Sequence, residues 1–271
     1  MIAEIHNKLA SGGSNLHDRL EDQLTGNIFG TMRYLPFSLG LGPVLRKTHF
    51  ETESQAVAFQ SALSAMDDDE TVEYRFWPKH PNGEIDLLIE TATTVIGIEV
   101  KYRSGLSSDD EVEISDEAQW TESRNQLARY QSVVRDFAKG KKMVLLFAAP
   151  TELGWAVYRD VIRRRLIQEE IGFGLLTWEN ILTGLEDRAG LSLDRYQDRM
   201  LGDMVDLLRK KGFEHFRGFA LADLPFVDKT QQNRIEIRLI RLRTDHSETT
   251  KPSSLKASGP PFLYGDTRWL M

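Results

Sequence analysis

The chain reads as an α/β protein: three layers, with helices on both sides of a mixed sheet, plus C-terminal helices and a tail. Three observations predict this. Apolar residues recur at helical spacing in several windows, as in Leu16, Leu20 and Leu24. Between such windows lie short β-type runs, and Met143 to Ala149 is apolar throughout, as a strand buried on both faces would be. The hairpin signals at 72–102 make part of the sheet antiparallel, while the later alternation of strands and helices makes part of it parallel.

The elements follow in order. A first helix starts near Ser14 or Asn15, with Asn15 as N-cap, and runs out between Gly30 and Pro36; Glu21 sits beside its apolar stripe. Residues Pro36 to Pro43, with Gly40 and Gly42, read as a loop. A second helix covers Glu53 to Met66, with Ala56, Phe59, Leu63 and Met66 on one side. Val72 to Pro78 is a strand, Pro81-Asn82-Gly83 a turn, and Glu84–Glu90 and Val95–Tyr102 two strands joined by Thr91–Thr94. Polar residues from Ser104 to Asp116 form a loop before a long helix, Gln119–Ala138. Strand 143–149, helix 151–170, strand 174–178 and helices near 178–186 and 194–211 complete the pattern. Domain organisation is expected as 1–225, a core with its C-terminal helices, and 226–271, a flexible or partner-binding extension rich in Ser, Thr, Lys and Pro towards its end.

Composition narrows the function classes. The 271 residues contain no cysteine, which excludes a disulfide scaffold, a thiolate metal site and a cysteine nucleophile. No apolar run approaches the ~20 residues of a membrane span, and the N-terminus lacks an apolar signal core, so a cytoplasmic protein without membrane association is expected. Thirty-four basic against 41 acidic residues give a net charge of −7, which disfavours a non-specific nucleic-acid coat but leaves room for a local basic groove.

The chemistry lies in Glu84-Ile85-Asp86 and Glu99-Val100-Lys101. If Thr91–Thr94 close a four-residue loop, Glu90 pairs with Val95, Asp86 falls opposite Glu99 and Glu84 opposite Lys101. All four charged side chains then share one face, with Ile85, Leu87, Ile89, Ile96, Ile98 and Val100 on the other. Facing carboxylates repel, and a cation between them relieves the repulsion; one or two carboxylates with substrate phosphate are a usual Mg²⁺ site. Lys101 is placed to contact a phosphate oxygen or help deprotonate a water. The alternative is a solvated face with a Glu84–Lys101 pair worth a few tenths of a kcal/mol, and spacing alone leaves the two level.

Asp86…Glu99-Val100-Lys101 on adjacent strands, with a helix before and after, resembles the PD-(D/E)xK nuclease superfamily. Glu21 matches the acidic residue that many members carry on the first helix. Gln126-Leu127-Ala128-Arg129-Tyr130 is similar to the Q-x-x-x-Y element of the RecB-like branch. Ile85 stands where the family's Pro is expected. The resemblance spans about 21–150 and implies a restriction-endonuclease-like core. It implies Mg²⁺ or Mn²⁺ held by Asp86, Glu99, the Val100 carbonyl and Glu21, a water nucleophile oriented by Lys101, and Gln126 at the site or on the DNA backbone. Implied partners are DNA (RNA not excluded), a second copy of the chain, or a subunit of a restriction, repair or phage-defence complex. A non-catalytic DNA-binding or scaffolding subunit is the competing reading. Lys139, Lys141, Lys142 and Arg163 are candidate phosphate contacts, as are Arg209-Lys210-Lys211; each is also an ordinary solvated charge.

Overall fold

The computed structural model describes residues 2–5, 16–66, 72–102, 106, 125–187 and 191–214. The expected boundary at 225, the 226–271 extension, Asn15 and most of the 104–116 loop lie outside these residues. The compact unit that carries the sheet is Met1–His215.

Alternating apolar residues build a six-stranded sheet in the order β1-β8-β7-β6-β5-β2. Its strands are β1 His49–Phe50, β2 Glu73–Phe76, β5 Leu87–Glu90, β6 Thr94–Val100, β7 Lys142–Ala149 and β8 Ile171–Thr177. The central β6, β7 and β8 are parallel; β5, β2 and β1 pair antiparallel at the flanks. One face, through Leu87, Ile89, Ile96, Ile98 and Leu146, packs against α2 Leu16–Met32, α3 Leu41–Leu45, α4 Glu53–Ser64, α7 Trp178–Glu186 and α8 Arg195–Lys210. The other face, through Leu88, Val95, Leu145, Phe147 and Phe173, packs against α5 Gln126–Ala138 and α6 Thr151–Arg163. This is the expected mixed three-layer α/β/α architecture. A short helix, α1 Ile2–Ile5, precedes it. Gly97 lets α5 approach closely: a Cβ there would lie 2.6 Å from Val134 and 2.8 Å from Ile85.

Several boundaries differ from expectation. The expected loop at 36–43 continues into α3, where Pro43 is tolerated because the first turn needs no N–H donor from it. The helix expected from 119 begins at Gln126, since Asn125 is extended and caps the N–H groups of Leu127 and Ala128. Helix α6 ends at Arg163 rather than 170. The chain then turns left-handed at Arg165 (φ 52°), and the buried Gln131 amide holds Leu166 O and Gln168 N at 2.7 and 2.6 Å.

The expected strand 84–90 is broken, which matters most. The Glu90↔Val95 register holds, but the ladder stops at Leu87↔Ile98. Glu84 belongs instead to a separate hairpin, β3 Lys79–His80 with β4 Gly83–Glu84, where it faces Lys79 and not Lys101. Trp77 at φ 47° turns the chain out of β2 into this hairpin, and its N–H bonds the Asp86 carbonyl at 3.0 Å. The break also moves Ile85 to the α5 side, away from Leu87 and Ile89.

Candidate active site

The parallel strands end together, and the charged residues gather at the carboxyl end of β6. Asp86, just before β5, turns its Oδ2 to accept the Val100 N–H at 2.7 Å, closing the gap left by the broken ladder. Glu99 and Lys101 are two apart on one strand, so they share a face. From the other layer α2 brings Glu21, which sits one and two turns before the buried Leu24 and Ile28.

Lys101 Nζ is 2.7 Å from Glu99 Oε1 and 3.0 Å from Glu21 Oε1. The second oxygen, Glu21 Oε2, accepts the Tyr102 N–H at 3.0 Å. The indole N–H of Trp178 donates to the Lys101 carbonyl at 2.8 Å, and Lys101 N–H donates to Ala148 O. All four charged residues are buried: Glu99 is 1% exposed, Lys101 6%, Glu21 7% and Asp86 9%.

On the α5 side, Gln126 Nε2 donates to the Tyr130 hydroxyl at 2.8 Å, and that hydroxyl donates to Glu84 O at 2.7 Å. Gln126 and Tyr130 thus act as a pair that ties α5 to the β3–β4 hairpin. Burial raises the Tyr130 pKa, and the neighbouring Glu99 charge raises it further.

The electrostatics are unbalanced. Three carboxylates face one ammonium, so full ionisation leaves two buried negative charges. Burial, then the adjacent Asp86 charge, push Glu99 well above the ordinary carboxylate range. Burial likewise raises Asp86, against the pull of Lys101 and the Val100 N–H. For Lys101 burial favours loss of the proton, but Glu99, Asp86 and Glu21 together outweigh it and raise the pKa. Lys101 therefore remains an ammonium, which fits charge donation and orientation rather than the role of a base.

A divalent cation fits the pair Asp86 and Glu99. Glu99 Oε2 is buried with no hydrogen-bond partner among the described residues, and a cation would relieve the deficit of two charges. The Val100 carbonyl lies on the same strand edge as the N–H that Asp86 binds. Hard oxygen donors of this kind, with water and phosphate, suit Mg²⁺ or Mn²⁺. Glu21 is engaged otherwise: Lys101 and the Tyr102 N–H take its oxygens. With the ammonium between Glu21 and Glu99, no three Asp, Glu, His or Cys side chains among the described residues are drawn into one cation cage.

Four of the expected phosphate contacts, Lys139, Lys141, Lys142 and Arg163, are not beside this cluster. Lys142 pairs with Thr94, at the opposite end of β6, about 23 Å from Lys101 at ~3.3 Å per residue. Lys139 and Lys141 precede it, and Lys141 is committed to Glu90 and the Thr91 carbonyl. Helix α6 starts after β7 at the cluster's end of the sheet and runs back, so Arg163 also lies far away, paired with Asp160. Contacts that local sequence did not signal are Trp178 under Lys101, Phe213 stacked on Trp178, and Lys211 over Tyr102.

No protein-family model, curated protein or solved structure matches the chain.

Proposed function

We propose that the chain is a metal-dependent DNA nuclease of the PD-(D/E)xK kind. The observation that carries this reading is the convergence of Glu21, Asp86, Glu99 and Lys101, from α2, the start of β5 and the end of β6, into one buried cluster with an excess of negative charge. A structural ion pair does not require that excess; a cation site does.

Asp86, Glu99 and the Val100 carbonyl would hold the ion. Bound there, it supplies Lewis-acid stabilisation of phosphate charge and lowers the pKa of water. Lys101 Nζ, kept protonated, donates to a phosphate oxygen or orients the attacking water. Glu21 accepts from the Lys101 ammonium and holds it in place, and the Gln126–Tyr130 pair ties α5 to the β3–β4 hairpin. Hydrolysis forms one P–O bond from water and breaks one to the leaving sugar oxygen, which takes up a proton.

The test is cleavage of duplex DNA, single-stranded DNA and RNA by the purified chain with Mg²⁺ or Mn²⁺. Wild type is expected to cut DNA, while Asp86→Asn and Lys101→Met are inactive and still melt cooperatively in EDTA. Cleavage surviving in both variants would overturn the assignment. A second reading, a non-catalytic binding subunit, draws on the near-complete burial of Lys101 and Glu99, which suits a structural ion network. It expects neither heat nor a Tm shift on titration with Mn²⁺.

A further inference from the structure

An anionic strand approaching a cluster of three carboxylates and one ammonium is repelled to the extent that the carboxylates are ionised, and cations nearby offset this. The basic residues near 139–142 and Arg163 are at the wrong end of the sheet. The helix that does deliver basic residues to the cluster is α8. Its apolar side, Leu201, Met204, Val205 and Leu208, is buried, and Phe213 beyond its end stacks on Trp178 and meets Tyr102 edge-on. These contacts fix the segment 209–213 beside the residue that follows Lys101.

Within this basic triplet the three charges are not equivalent. Arg209 is committed to Glu186, Asp206 and Glu214. Lys210 is exposed and Lys211 half-buried, and neither has a carboxylate partner among the described residues. Lys211 Nζ instead rests 5.0 Å from the Tyr102 ring centroid. The Tyr102 amide is 3.0 Å from Glu21, and a tyrosine ring centre lies about 5 Å from its own amide, so the Lys211 ammonium is within about 13 Å of the Glu21 carboxylate. That is at most about four nucleotides at ~3.4 Å rise per strand. A lysine parked on an aromatic face can, on its flexible stem, turn to a phosphate.

We propose that Lys211, with Lys210 beside it, is the phosphate-binding element that seats a nucleic-acid strand over the carboxylate cluster. This assignment rests on the nuclease reading. Lys211 and Lys210 bind backbone phosphate and take no part in the bond-breaking step.

The experiment compares wild type, Lys211→Gln, Lys210→Gln/Lys211→Gln, Lys211→Arg and the distant Lys142→Gln. Fluorescein-labelled 20-base-pair DNA is used for binding in EDTA across a salt series and for cleavage with Mn²⁺. Lys211→Gln is expected to raise KM about two- to fivefold, the size of one exposed charge contact, with kcat little altered. The slope of log K against log salt should fall by about 0.9 per lysine removed. Lys211→Arg should restore both values, and Lys142→Gln should match wild type. A lysine that merely packs on Tyr102 would change Tm and leave the salt slope alone; that result, in a chain that still cuts DNA, overturns the proposal and spares the nuclease reading. Salt-dependent binding that loses slope in Lys211→Gln, in a chain that cuts nothing with either metal, does the reverse. A wild type that neither binds nor cuts overturns both.

Discussion

Replacing Glu99 by Gln should make the metal-free protein more stable, although it removes a buried ion-pair partner. The carboxylate is 1% exposed, and both burial and Asp86 oppose its ionisation. Its loss lowers the excess from two negative charges to one, and Lys101 keeps Glu21 at 3.0 Å. Replacing a whole buried ion pair by neutral groups of similar volume is often neutral or stabilising by about 1–4 kcal/mol, and removing one partner is costly when it leaves the other charge uncompensated. Here Lys101 keeps Glu21, so the gain from relieving the excess negative charge is the term that counts. A gain of about 2 kcal/mol raises Tm by roughly 4–8 °C for a chain of this size. The sign of the pH dependence is fixed. Glu99 has a raised pKa in the fold, so from the ordinary glutamate value of about 4.3 upward the native state holds a proton that the unfolded chain has released. Stability is therefore full below that value and is lost as pH climbs through the raised one. Asp86, also raised, adds the same slope and remains in the variant. Thermal and urea melts in EDTA between pH 4 and 9 should show wild type weakening as pH rises and Glu99→Gln weakening less, with its advantage largest at the alkaline end. Mg²⁺ or Mn²⁺ should raise the wild-type Tm and leave that of the variant in place. A variant less stable than wild type at pH 8, or an unchanged pH slope, would refute the reasoning that this carboxylate is held at a cost.

Two further outcomes follow from packing and hydrogen bonding. Gly97→Ala should cost about 1–3 kcal/mol, because its Cβ would meet Val134 and Ile85 below 3.0 Å, and Val134→Ala in the same chain should recover most of it; urea midpoints with constant m-values measure this. Tyr130→Phe leaves Gln126 Nε2 and Glu84 O without the hydroxyl and should cost about 1–3 kcal/mol. Its hydrogen exchange should quicken in 79–84 more than in β7, and uniform exchange across both would contradict the tie between hairpin and α5.

The parts of the fold set by local pattern were legible in the sequence. The Thr91–Thr94 loop fixed the Glu90↔Val95 register, and from it the approach of Asp86 to Glu99 followed. The apolar run 143–149 revealed its doubly covered strand because both faces demand the same residue type. What escaped was decided over distance. The place of Glu84 escapes the sequence because Trp77, ten residues before Leu87 where pairing with β6 begins, takes a left-handed turn that no alternation pattern encodes. Lys139, Lys141, Lys142 and Arg163 looked usable by composition, yet the parallel crossovers carry them to the other end of the sheet. Lys211 reaches Tyr102 only through the packing of α8, and the sequence marks Glu21 as a first-helix acidic residue and candidate metal ligand without revealing its partners Lys101 and the Tyr102 N–H.

The Glu21 bridges join residues 80 and 81 positions apart, and the Trp178 bond to Lys101 spans 77 more. Ordering such distant segments carries the loop-closure penalty before any of these bonds can form. The site therefore rests on contacts of high sequence separation, which weigh on the folding rate more than local pairings such as β5–β6 do. Without α2 the cluster lacks Glu21, so fragments split between α4 and β2 should regain the Lys101–Glu21 pair only on reassociation.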